Sequence, residues 1–168
     1  AAVSLGAQLD VRGMMLPSVQ GDWRFLDLLE QMHGAAEAEL DVSQYPDLVP
    51  PLAAAAALEE GRTISLTNAA RLRLKESDRL ASVTQVLNAL GADVTEGPDF
   101  LTIRGKQVLA GGVAVDSFND HRIAMMAAIA ATRCINPVTI NSAECVAKSY
   151  PDFWEEYERL GGQTRRDL

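Results

Sequence analysis

Cysteine, histidine and aromatic side chains are all scarce in this 168-residue chain. Its two cysteines, Cys134 and Cys145, belong to no C-x-x-C pair, and its two histidines, His33 and His121, sit at no ligand spacing, which argues against a zinc site. Two such cysteines are expected as reduced thiols in a cytoplasmic protein. Basic residues are outnumbered 15 to 23, leaving a net charge of −8. A general nucleic-acid or membrane-surface binder needs a broad positive field, so neither partner is expected. Any anionic ligand has to be held by a few clustered cations. Long apolar runs are missing as well. Residues 48–58 and 123–131 fall far short of the ~20 needed to cross a bilayer, and a signal peptide is not expected. An initiating Met is absent: Ala1-Ala2-Val3-Ser4-Leu5-Gly6 reads as the last turns of an Ala-rich helix closing on glycine. The expectation is a soluble piece of a longer polypeptide.

What is present is an ordinary globular composition, 48% hydrophobic and 23% charged, enough for one domain. A threefold repeat organises it. Each copy runs from an Ala-rich segment (1–5, 48–58, 123–132) into a short strand-like run (8–12, 63–67, 138–141). A polar turn ending in Asp follows, and then an amphipathic helix that stops at Gly. Leu9 to Asp22 is 13 positions, Ile64 to Asp78 is 14 and Thr139 to Asp152 is 13. In the middle copy Leu80, Val83, Leu87 and Leu90 fall on one helical face before Gly91. Leu26, Leu29 and Met32 are expected to do the same before Gly34, and Phe153, Tyr157 and Leu160 before Gly161. The Ala-rich helices are apolar nearly all round and so are expected at the centre. Residues 94–95 and 100–104 read as a hairpin around Gly97-Pro98-Asp99. The fold class is α/β, repeated units packed about buried helices. The chain is expected to be a single domain over 1–168, with an incomplete first repeat at about 1–40, a second at about 41–110 and a third at about 111–168.

The unevenly placed charges fall in the polar turns before helices, where unpaired N–H groups and the helix dipole favour anions. In Arg71-Leu72-Arg73-Leu74-Lys75-Glu76-Ser77-Asp78-Arg79, the alternating cations emerge on one face if the chain is extended. Ser77 or Asp78 is the candidate N-cap. Arg79 then opposes the dipole in the first helical turn, explained by a bound anion or by pairing with Glu76 or Asp78. In Asp116-Ser117-Phe118-Asn119-Asp120-His121-Arg122, Asn119 can cap, leaving Asp120, His121 and Arg122 over; a neutral His121 held between two partners is the bland alternative. Lys148 precedes the last helix and is a weaker signal. Asp47, after Pro46, either caps the Ala-rich helix or, mirroring Asp120 in the next repeat, joins a shared cleft.

In order along the chain, Gln20-Gly21-Asp22, Pro46-Asp47, Lys75-Glu76-Ser77-Asp78-Arg79-Leu80, Asn119-Asp120-His121-Arg122-Ile123-Ala124-Met125 and Ala147-Lys148-Ser149-Tyr150-Pro151-Asp152-Phe153 closely resemble signatures of the EPSP synthase (3-phosphoshikimate 1-carboxyvinyltransferase) family. The resemblance covers essentially the whole chain, but only the C-terminal part of that family's usual sequence. It implies one domain of a two-domain fold, each domain built from three βαβαββ units, with the N-terminal domain and its ligands missing here. It implies transfer of the enolpyruvyl group of phosphoenolpyruvate to the 5-hydroxyl of shikimate 3-phosphate, through a tetrahedral intermediate and without metal or organic cofactor, on the route to chorismate and aromatic amino acids.

By the same resemblance Asp47 is the carboxylate that contacts the shikimate hydroxyls and takes the 5-hydroxyl proton, and Glu76 lies close to the phosphoenolpyruvate methylene. Lys75 serves the shikimate phosphate half; Arg79, Arg122 and Lys148 clamp phosphoenolpyruvate. Asp120 and His121 complete the implied substrate-binding set, His121 as a supporting polar group. Arg71 departs from the Asn that some members carry four positions before the motif Lys, and Asn68 is the candidate substitute. The segment 35–40 is short, so a strand pair often found there is expected to be reduced. Two rivals stand beside this reading: a UDP-N-acetylglucosamine enolpyruvyl transferase-like enzyme, with which the N-D-H-R and K-E-S-D-R runs are not associated, and a non-catalytic half that only docks to a partner domain. An unrelated anion-binding module has no use for Asp47 and Glu76.

Overall fold

A computed structural model describes residues 23–165. The first Ala-rich segment, the strand-like run at 8–12 and the turn Gln20-Gly21-Asp22 therefore lie outside the described residues. Helix α1 (Arg24–His33) leads to strand β1 (Glu37–Asp41), then helix α2 (Val49–Ala56), strand β2 (Thr63–Thr67), helix α3 (Arg79–Ala89), and strands β3 (Asp93–Glu96) and β4 (Leu101–Arg104). These form one four-stranded sheet in the order β1-β2-β4-β3, parallel between β1 and β2 and antiparallel elsewhere. Strands β5 (Leu109–Gly111) and β6 (Ala114–Asp116) follow, then helix α4 (His121–Ala131), strands β7 (Cys134–Asn136) and β8 (Thr139–Asn141), and helix α5 (Phe153–Arg159). Here β5 pairs with β7 and β6 with β8, both parallel. The α/β pattern thus recurs: β1-α2-β2-α3 in one copy and β6-α4-β8-α5 in the next.

Helices α2 and α4 are apolar on every side and are buried accordingly. Val49, Leu52 and the alanines 53–57 join the main core with Ile123, Met126, Ala127 and Ala130. The small side chains let helices and sheets approach closely. The opposite face of α4, Ala124 and Ala128, closes a second, smaller core with Cys145, Val146 and Phe153. On α3, Leu80, Val83, Leu87 and Leu90 are all buried, as their spacing requires, and Gly91 ends the helix at φ +100°. The hairpin β3–β4 forms around Gly97-Pro98-Asp99 as expected.

Other expectations are corrected. On α1 the buried positions are Leu28 and Met32, with Phe25 and Leu29 packed beside them, whereas Leu26 is 47% exposed. The stripe is the 25-28-29-32 face, rotated by one residue from the expected one. On α5, Phe153 is buried and Tyr157 half-buried, but Leu160 lies past the helix end and is exposed. The stretch 35–40 holds most of the single strand β1, so the expected reduction of a strand pair there is kept. Strands β5, β6 and β7 were not expected, being three residues long and broken by glycine or proline. Gly111 needs both its freedoms there: its φ is +61°, and a Cβ would come within 2.3 Å of the Asn136 carbonyl oxygen. At the start of β2 the turn 59–62, exposed at Glu60 and Gly61, carries Gly61 at φ +76°, with open space around it. Among the described residues no helix is long and apolar enough to cross a membrane.

Candidate active site

The polar turns follow the C-terminal ends of the parallel strands, where open α/β sheets place their ligands. After β1 the chain turns through a short 3-10 helix, Pro46–Leu48, carrying Asp47. After β2 a second one, Ala70–Leu74, delivers Lys75, Glu76 and Arg79. After β6 come Asp120, His121 and Arg122, and after β8 a third, Ala143–Lys148, ends in Lys148.

Arg79 is the hub of these turns. It is the first residue of α3 and 1% exposed. Its Nε donates to Asp120 Oδ2 at 2.8 Å, its Nη1 to Asp47 Oδ1 at 2.8 Å and its Nη2 to Glu76 Oε2. A buried guanidinium needs paired counter-charge, and its planar fork can serve several carboxylates at once. Of the two explanations left open for a cation at this dipole end, pairing is therefore the one observed, with Asp47 and Asp120 added to Glu76.

Asp47 meets two further cations, Arg122 Nη2 at 3.0 Å and Lys75 Nζ at 3.3 Å. It makes no capping bond, and Leu48 occupies the N-cap of α2, so Asp47 is not that helix's cap. Burial pushes its carboxyl upward, but Arg122, Arg79 and Lys75 outweigh this and hold it below the usual carboxylate range. Asp120 has no exposed surface. Its oxygens accept from Arg79 Nε and Nη2, from Ser77 Oγ at 3.1 Å and from the Arg122 backbone N–H at 2.9 Å. Asp120 is thus the N-cap of α4, in place of Asn119, which adopts φ +56°. Sealed in this way, Asp120 does not fit the role of a substrate contact. Burial raises its carboxyl too, and Arg79, Arg122 N–H and Ser77 more than reverse that.

Lys148, which is exposed, donates from Nζ to the Asn119 carbonyl at 2.7 Å, so it joins the mouth of α4 through the backbone. His121 is 9% exposed and its Nδ1 has no hydrogen-bond partner among the described residues, which do not give the picture of a histidine satisfied on both nitrogens. The three alternating cations do not share an extended face, because residues 70–74 wind into the 3-10 turn. Arg73 instead braces the β3–β4 hairpin through Asp78, Glu96 and the carbonyls of Gly97 and Pro98. Arg71 and Asn68 are exposed, Asn68 at φ +59°. Ser77 was singled out only as a capping candidate; Asp78 caps α3, and the Ser77 hydroxyl serves Asp120. Nothing in a linear motif signals that bond.

The set holds four cations (Lys75, Arg79, Arg122, Lys148) against three carboxylates (Asp47, Glu76, Asp120), a local surplus of positive charge in a chain of net −8. The side chains of Lys75 and Arg122 are 29% and 31% exposed, so an anion meets them and Lys148 before Arg79. Among the described residues no three His, Cys, Asp or Glu are placed to hold a metal ion.

The lowered carboxyls give a stability prediction. Asp47 and Asp120 titrate lower folded than the 3.8 of a free carboxyl, so the stability they add is present above that value and is lost as pH falls through their folded values. Thermal melts of parent and Asp120→Asn should differ most near neutrality, and the gap should close below about pH 4. A gap constant with pH removes the ion pair from the account.

Comparison with known proteins follows the same lines. The sequence profile of EPSP synthase (3-phosphoshikimate 1-carboxyvinyltransferase) matches residues 1–157. Proteins named 3-phosphoshikimate 1-carboxyvinyltransferase from Clostridium acetobutylicum and Clostridium kluyveri are 48% and 45% identical to this chain over 95% of its length, which is 40% and 41% of theirs. A solved EPSP synthase from Acinetobacter baumannii superposes with a TM-score of 0.67 at 40% identity, covering 73% of this chain and 28% of that one. The chain therefore spans about two-fifths of the length of these curated relatives.

Proposed function

Because the chain belongs to the EPSP synthase family, we propose that it supplies one half of the active site of an enzyme that moves the enolpyruvyl group of phosphoenolpyruvate to the 5-hydroxyl of shikimate 3-phosphate. The observation that carries this reading is Asp47, kept ionised by three cations and sharing the Arg79 guanidinium with Glu76. Such a pair suits a reaction in which a hydroxyl loses a proton and a vinyl carbon gains one.

In the addition step Asp47 accepts the 5-hydroxyl proton as the oxygen bonds to C2 of phosphoenolpyruvate. Glu76 delivers a proton to the methylene, which becomes a methyl group. The tetrahedral intermediate then loses inorganic phosphate, which takes up the proton held by Asp47, and returns one methyl proton to Glu76, restoring the double bond. Lys75, Arg122 and Lys148 offset the charge of two anionic substrates brought together, which is where positioned cations contribute most to such a reaction. His121, buried at the mouth of α4, supports this set. No metal or organic cofactor takes part.

The remaining ligands come from a preceding N-terminal domain, and the whole works in the cytoplasm. The chain is then one C-terminal domain of three repeats, at about 1–40, 41–110 and 111–168. Alone it leaves its cations open to water, without the low-dielectric enclosure that strengthens them.

The test is phosphate release with both substrates. The chain alone should give none, and the chain combined with the N-terminal half, or the full-length protein, should release phosphate. No release by the full-length protein, or release with UDP-N-acetylglucosamine as the preferred acceptor, overturns the assignment; turnover by the purified chain alone overturns the need for the other half.

A further inference from the structure

We propose that Asp120 is a positioning residue: from inside the mouth of α4 it fixes the Arg79 guanidinium so that its two terminal nitrogens stay aimed at Asp47 and Glu76. The inference rests on the catalytic reading of those two carboxylates and goes beyond it, because Asp120 itself touches no solvent. Three observations carry it. Asp120 is fully buried, so no ligand reaches it. Its bonds to Arg79 use the Nε edge and Nη2, the inner side of the fork, at 2.8 and 3.4 Å. Nη1 is left to Asp47, and Nη2, with two N–H groups, also serves Glu76.

Asp120 is in turn locked by two groups from different segments, the Ser77 hydroxyl and the Arg122 N–H. One carboxylate therefore ties the two helix mouths together: α3 through Arg79 and α4 through its own cap. A guanidinium held at one edge by a fixed anion cannot rotate in its plane, and rotation in that plane is the motion that would move Asp47 away from a substrate hydroxyl. Among the described residues the other charged groups paired with Asp47 are Lys75 and Arg122.

Asp120→Asn in the full-length enzyme separates positioning from capping, since Asn caps a helix about as well as Asp. The variant should fold cooperatively and lose roughly 10–100-fold in kcat, the scale of a small misplacement at a reacting centre. With the guanidinium free to turn from Asp47, that carboxylate is held ionised less strongly, so the acid limb of kcat/KM against pH should move to higher pH. A variant within about threefold of parental kcat, or one whose acid limb has not moved to higher pH, overturns the proposal. If Asp120→Asn does not fold, Ser77→Ala decides: it loosens Asp120 without removing it, and a parental pH profile for it counts against the positioning role.

A parent inactive with both substrates sinks the transferase reading instead. Positioning is then settled by exchange of the Arg79 Nε–H in NMR, expected to be roughly tenfold or more faster in Asp120→Asn than in the parent. Equal exchange rates overturn it.

Discussion

Asp47→Asn in the full-length enzyme should lower kcat by roughly 10²–10⁴, the usual contribution of a positioned general base, while the melting temperature stays near the parental one. Asn keeps the size and some of the hydrogen bonding but cannot accept the 5-hydroxyl proton. The small stability effect follows from the surroundings. Asp47 and two of its three partners are partly open to solvent, where ion pairs contribute ~1 kcal/mol or less. Arg79 keeps Asp120 and Glu76 when Asp47 is neutralised. A steady-state assay beside a thermal melt checks both halves of the expectation. More than a tenth of parental kcat remaining would take Asp47 out of the chemistry, and its cations would then be a charge network of no catalytic consequence.

Arg79→Met has the reverse signature. The methionine fills much of the same space, but Asp120 is left ionised, buried and without its counter-charge. Breaking a buried pair by removing one partner costs about 3–5 kcal/mol. Activity should disappear as well, since Asp47 and Glu76 lose the group that holds them side by side. Urea unfolding of the intact protein measures the first effect. Adding Asp120→Asn to Arg79→Met removes the orphaned charge and should restore a large part of the lost stability without restoring turnover. Strict additivity of the two changes would show that the pair is not coupled in the folded state.

These expectations depend on features the linear sequence carries unequally. The α3 stripe and its glycine stop were legible because a repeat of three and four residues survives folding unchanged, and the tight Gly97-Pro98-Asp99 turn names its own hairpin. The motif residues at helix mouths were also legible, because polar groups crowded ahead of an apolar helix have few structural uses. The burial of polar groups was not legible. Arg79 looks like any first-turn cation until Asp47 and Asp120, 32 positions before it and 41 after it, are brought to the same guanidinium. The exchange of caps at α4 has a similar origin. Asn119 and Asp120 are both good caps, and the choice falls to Asp120 because Arg79 and Ser77 are waiting for it, which leaves Asn119 to take the left-handed turn whose carbonyl Lys148 reaches. The three-residue strands β5, β6 and β7 carry too few residues for any alternation, and their pairing is set by partners about 25 positions away.

All the chemistry-bearing turns follow the strands' C-terminal ends, while the 59–62 turn opens the strand pair at the other end, a β2 length away, with Gly61 facing open space. That polarity gives the molecule a handle. A dye or a surface tether on the exposed Glu60 side chain leaves the backbone bonds of Glu59 and Arg62 in place, and it presents the helix mouths outward, free to meet a second domain or a dissolved anion. A donor fluorophore at the turn, paired with an acceptor on an added N-terminal half, would report the approach of the two halves without touching a residue that holds either substrate.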